Sequence, residues 1–227
     1  MPGLQPGVQV AGRPVDTGKM PVLLQAFDPE AEFEVRVRRL PHWRQRGGTY
    51  FVTFRLGDAL PQAVLRALRA ERQRWLREHP PPVAPAELSR FQALFSAKVE
   101  QYLAAGYGAC WLTRPEAADI VEEALRHFER ARYALGRYVV MPNHVHVLVT
   151  PLGNNELSAI LHSWKSYTSG AVNKLLQRRG TLWQQESYDH LVRDEEELQH
   201  YVRYIEENPE EAGLAEGQYR LGAGSIR

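Results

Sequence analysis

The chain has 227 residues, 44% hydrophobic and 24% charged, with 28 Lys and Arg against 27 Asp and Glu for a formal net charge of +1. These proportions exclude a disordered chain, and the length suits one domain with additions or two small ones. A single cysteine, Cys110, excludes a disulfide framework and fits a reducing cytoplasmic compartment; no apolar run reaches the roughly 18 residues of a membrane span, and no secretion signal is visible.

Residues 1–35 read as an irregular leader, rich in Gly and Pro at Pro2-Gly3, Pro6-Gly7, Gly12, Pro14 and Pro21. Thr49 to Leu56 is aromatic and β-branched between Gly47-Gly48 and Gly57-Asp58, which predicts a strand between turns. Residues 62–79 predict a helix ended by Pro80-Pro81-Pro82, and 86–104 a second, with Leu88, Phe91, Phe95, Val99 and Tyr102 near the 3.6 period. A third helix is expected at 115–129, with Pro115 in its first turn. Tyr133 to Met141 and His144 to Thr150 read as two strands of a hairpin broken by Pro142-Asn143. A helix over 156–178, a short strand within 183–192 and a last helix over 194–207, stopped at Asn208-Pro209, complete the pattern.

The charge is unevenly spread. Residues 1–185 hold 24 basic and 16 acidic side chains, whereas 186–227 hold 4 basic and 11 acidic. Basic surface attracts phosphate through counterion release, although clustered solvated charge alone has the same signature.

In His144-Val145-His146-Val147-Leu148-Val149 the faces alternate, so the valines share one face and the two histidines the other. Two imidazoles on neighbouring same-face positions can converge on one divalent ion, though ordinary polar residues on a wet sheet face give the same pattern. Leu148 stands where a histidine-triad nucleotide hydrolase would need a third histidine. On the last helix, Leu198, Val202 and Ile205 form the buried stripe and Tyr201 lies close to it. Tyr204 falls on the flank, with Asn208 one turn further on. Asn208 offers an amide oxygen as a third ligand, or is simply the residue before Pro209. Together these features suit a divalent cation that polarises a scissile phosphate and a tyrosine hydroxyl that attacks it, with Lys165 as a supporting cation or a plain surface lysine.

The segments Tyr138-Val-Val-Met-Pro-Asn-His-Val-His-Val-Leu-Val, Ser163-Trp-Lys-Ser-Tyr, Leu182-Trp-Gln-Gln-Glu-Ser-Tyr-Asp-His and Tyr204-Ile-Glu-Glu-Asn-Pro-Glu-Glu-Ala-Gly-Leu resemble the REP-associated tyrosine transposases of the single-tyrosine HUH superfamily. The resemblance implies an α+β fold, a ferredoxin-like antiparallel sheet with helices packed on it. The transposase domain would span 36–216 with an extra helical insertion at about 60–110, followed by a tail at 217–227. It implies His144 and His146 as metal ligands with Asn208 beside them, Tyr204 as nucleophile, and Mg²⁺ or Mn²⁺ as cofactor. The implied activity is cleavage and rejoining of single-stranded DNA carrying a palindromic hairpin, through a covalent 5′-phosphotyrosine, by a cytoplasmic, nucleoid-associated monomer or homodimer. Where an amide and basic residues are expected, the chain has Glu207, Glu210 and Glu211, which should face away from the phosphate path. Those carboxylates motivate an alternative, a domesticated hairpin-binding protein without chemistry. A phosphoesterase acting on small nucleotides through the histidines alone is a third. The insertion offers packing or DNA contact through Arg66, Arg69, Arg72, Arg74 and Arg77.

Overall fold

The computed structural model describes residues 33–37, 41–45, 47–80, 83 and 85–225; residues 1–32 of the expected leader lie outside them. Strands β1 (Phe33–Val37) and β2 (Pro41–Gln45) form a separate antiparallel pair. Strand β3 (Tyr50–Arg55) is followed by helices α1 (Gln62–Glu78), α2 (Pro85–Ala104) and α3 (Pro115–His127). Strands β4 (Tyr133–Val140) and β5 (His144–Pro151) form the expected hairpin, and α4 (Leu157–Leu175), β6 (Tyr188–Leu191), α5 (Glu195–Glu211) and β7 (Arg220–Ala223) complete the chain.

The five-stranded sheet runs β6-β3-β5-β4-β7, antiparallel throughout. Within the chain, β3, α3, β4, β5, α4 and β6 form a β-α-β-β-α-β unit, interrupted by the α1–α2 pair, whose strands stand in the order fourth, first, third, second. That is the expected ferredoxin-like α+β arrangement with a helical insertion. Strand β5 is central and buried along its whole length, which its run of β-branched residues suits.

The two faces of β5 have different company. Val145, Val147 and Val149 share a core with Val52, Phe54, Val121, Leu125, Ile160 and Trp164, beneath α3 and α4. Leu148 packs on the opposite face with Phe51, Val139, Met141 and the α5 residues Leu198 and Ile205. Each such side chain contributes about 1.5–3 kcal/mol on burial. One polar cluster ties the first core together: the Tyr133 hydroxyl donates to Leu125 O at 2.8 Å and accepts from Trp164 Nε1 at 2.9 Å. Tyr133→Phe leaves that indole N–H without its acceptor, and urea unfolding should show a loss of about 1–3 kcal/mol.

Three features depart from the sequence-based expectation. Helix α5 does not stop at Asn208-Pro209 but runs to Glu211. Pro209 forgoes one helical N–H, yet Asn208 and Pro209 are both buried, and Ala212 N still reaches Asn208 O at 3.0 Å, so packing holds the last turn against the pre-proline preference. Only residues 188–191 of the expected 183–192 strand are regular; Trp183 makes an isolated bridge to Leu56. The tail at 217–227 contains β7, which pairs with β4 and lies so close to Tyr138 that a Cβ on Gly222 would collide with its ring and hydroxyl.

Candidate active site

Register places the site. Antiparallel pairing sets Thr53 opposite His146 and Arg55 opposite His144, so all four side chains share the sheet face that α5 covers. His144 and His146 are 1% and 0% exposed, and their Nε2 atoms lie 3.0 Å apart. The turn before β5 fixes the first ring. Asn143 Nδ2 donates to Leu103 O at 3.3 Å and Tyr107 O at 3.0 Å, so its Oδ1 must be the atom 2.7 Å from His144 Nδ1. That nitrogen therefore carries the proton, and the His144 Nε2 lone pair faces His146. Thr53 Oγ1 holds His146 Nδ1 at 2.8 Å, while Phe51 stacks on the same imidazole with centroids 5.4 Å apart.

Glu100, on α2, completes the group: its Oε2 lies 3.4 Å from His146 Nε2, and the ligand atoms of Glu100, His144 and His146 all fall within 4.8 Å of one another. Two imidazole nitrogens aimed at each other beside a carboxylate fit a divalent cation, since facing lone pairs at that spacing repel unless a proton or metal lies between them. The sequence reading missed Glu100, which sits 44 positions before His144 with no spacing to tie it to the histidines.

Helix α5 brings the tyrosine. The Tyr204 ring lies edge-on to His146 at 5.2 Å, and its hydroxyl lies beside Glu100 and Asn208. Asn208 also lies beside His144. Tyr201 instead stacks on Phe51 at 4.2 Å, with Tyr188 beside its hydroxyl. The structure thus gathers His144, His146, Tyr204 and Asn208. Lys165 is held elsewhere: its Nζ donates to the carbonyls of Gln184 at 2.9 Å and Gln185 at 3.1 Å, with Arg55 and Glu186 as its charged neighbours.

The electrostatics follow from burial. Loss of solvent, then the neighbouring His146, lowers His144 to about 3, which keeps it a neutral donor. Burial alone would raise the Glu100 carboxyl, but the imidazoles of His146 and His144 and the Tyr204 hydroxyl together hold it at about 2. Burial, the Glu100 charge and Glu211 push the Tyr204 hydroxyl well above its ordinary value, against Asn208. The acidic residues of α5 do not all face away. Glu207, Glu210 and Glu211 are all exposed, and Glu211 lines the same cleft as Tyr204.

Glu197 anchors the start of α5. It accepts from His190 Nε2 at 2.9 Å and from Arg193 N and Nη2, each at 2.7 Å. Burial opposes its ionisation, but these bonds prevail and hold the carboxyl at about 2. A depressed carboxyl stabilises above its unfolded value and loses that effect as pH falls through its folded value. Hydrogen-exchange protection factors over 190–198, corrected for the intrinsic rate at each pH, should therefore fall between about pH 4.5 and 2.

Residues 110–208 match the family described as "Transposase IS200 like", a stretch from the end of the insertion to Asn208. Among solved structures, a REP-associated tyrosine transposase bound to a REP hairpin is 19% identical with a TM-score of 0.40, over 80% of this chain and 76% of that one. No curated protein matches the chain.

Proposed function

We propose that this chain, whose residues 110–208 match the IS200-like transposase family, cleaves and rejoins hairpin-bearing single-stranded DNA through a covalent bond to Tyr204. The observation that carries this reading is the convergence of the His144 and His146 Nε2 atoms, the Glu100 carboxylate and the Tyr204 hydroxyl at one buried point under α5. His144, His146 and Glu100 would hold the cation, with Asn208 beside them. A divalent ion such as Mg²⁺ or Mn²⁺ bound there supplies Lewis-acid polarisation of the scissile phosphate. Tyr204 Oη forms the new bond to phosphorus, the P–O3′ bond breaks, and O3′ takes up a proton as the phenol loses one. Rejoining reverses these steps, since the phosphotyrosine is close in energy to the phosphodiester it replaces. Asn208 spans Tyr204 and His144 and so positions the nucleophile against the histidines.

The test is nicking of a labelled hairpin oligonucleotide with Mn²⁺ and with chelator. The reading predicts Mn²⁺-dependent cleavage with a polymerase-extendable 3′-OH; a product ending in a 3′-phosphate overturns it. Glu100→Ala should weaken Mn²⁺ binding at least about tenfold by calorimetry, and unchanged affinity removes Glu100 from the ligand set.

The position of Glu211 favours a second reading, a hairpin-binding protein without chemistry, because a carboxylate beside Tyr204 repels phosphate and keeps the phenol protonated. Metal-dependent nicking eliminates it.

A further inference from the structure

Helices α1 and α2 pack antiparallel through a Trp75–Phe91 stack at 4.2 Å, an ion pair of Glu71 with Lys98 and a polar contact of His79 with Glu87. Between them and the segment entering β6 lies a cleft of about 640 Å³, lined by Thr53 and Glu100, which both contact His146. Its charge and shape are specific. Leu65, Leu68, Arg69, Arg72 and Leu76 recur at helical spacing along one side of α1, so two of the five arginines of this helix face the cleft. Arg74 instead pairs with Glu78 on the far side. Arg55, opposite His144 on the adjoining strand, forms the inner end, with Glu100 and Glu186 as its charged neighbours. Phe91, Phe95 and Tyr188 supply flat apolar surface along the walls.

We infer that this cleft is the path by which the single-stranded part of the DNA reaches Tyr204, with Arg69 and Arg72 on its phosphates and the aromatic side chains under its bases. A positive groove that follows the backbone, combined with aromatic platforms on which unpaired bases stack, is the chemistry by which proteins hold a single strand. The three guanidinium groups outnumber the two carboxylates, one of which is the Glu100 already directed at the histidines. The inference rests on the proposed single-strand chemistry. It adds a role for helices that lie outside the stretch matching the transposase family.

Fluorescence anisotropy with the full chain tests it, using a hairpin carrying a single-stranded extension and the same hairpin without one. Arg69→Gln/Arg72→Gln should weaken binding of the extended oligonucleotide and lower its log–log salt slope by about 1.4, from roughly 0.7 per phosphate contact. Binding of the bare hairpin should stay unchanged. Arg69→Lys/Arg72→Lys should restore the slope, because counterion release follows charge, and matched thermal melts confirm that each variant folds. An unchanged slope, or an equal loss on both oligonucleotides, overturns the inference. Cleavage separates it from the reading beneath it. Adduct formation by the parent chain with a slope indifferent to the arginines rejects the cleft alone; arginine-dependent binding of the extension with no adduct rejects the chemistry alone.

Discussion

Replacing Tyr204 with phenylalanine is expected to abolish the covalent protein–DNA adduct while leaving hairpin affinity within about twofold. The substitution removes one oxygen and keeps the ring that lies edge-on to His146 at 5.2 Å and to Phe51 at 5.8 Å, so the packing of α5 survives. The lost polar contacts of the hydroxyl cost about 1 kcal/mol of stability, too little to unfold a domain of this size. Tyr201 is the internal control. Its ring is engaged by Phe51 and its hydroxyl by Tyr188, so Tyr201→Phe should form adduct at close to the parent rate. An adduct that persists in Tyr204→Phe assigns the nucleophile elsewhere, and full nucleotide turnover without an adduct would favour a histidine-only phosphoesterase.

The second large effect is expected at His146. His146→Ala removes one of the two convergent Nε2 atoms and leaves Thr53 Oγ1 and the Glu100 carboxylate without their imidazole partner. Adduct formation should fall by about 10²- to 10³-fold, the range seen when a group stabilising developing charge is lost. The Mn²⁺-induced rise in Tm should vanish with it, since a cation at 100 times its Kd stabilises a folded site by about 2.7 kcal/mol. His146→Gln, which preserves much of the volume of this fully buried side chain, guards against a folding artefact. Either variant keeping the parent's thermal shift removes His146 from the metal site.

Much of this arrangement was legible in the chain because periodicity carries it. The alternation in His144–Val149 put valines and histidines on opposite faces of β5, as the two cores require, and the helical count placed Tyr204 off the buried stripe. Long periodic segments gave α1 to α4 to within a few residues. What was illegible lacks a local signal. Strand β7 is short and carries Gly222 and no β-branched residue, so its pairing is set by β4; β1 does alternate apolar and polar residues over Phe33–Val37, a signal the sequence reading passed over by assigning residues 33–35 to the leader. Helix α5 crosses Pro209 only because Asn208 and Pro209 are buried, which is a tertiary effect. Glu100 is a lone carboxylate next to Val99 of the apolar stripe, and no periodicity or spacing marks it. It meets His146 because Asn143 ties the Leu103 and Tyr107 carbonyls at the end of α2 to the start of β5. The charge reading was half right. The basic body supplies Arg55, Arg69 and Arg72 to one cleft, but the acidic end does not turn wholly away, since Glu211 stays beside the tyrosine.

The central claim is that Tyr204 attacks DNA phosphorus beside the histidine pair, and mapping the covalent product tests it most directly. The full chain is incubated with a hairpin oligonucleotide bearing single-stranded flanks and Mn²⁺, then digested with protease and nuclease, and the nucleotide-bearing peptide is sequenced by mass spectrometry. The account predicts a 5′-phosphate nucleotide on the Tyr204 side chain. A nucleotide attached to Tyr201 or any other residue, or no adduct on DNA that the chain demonstrably binds, would contradict it.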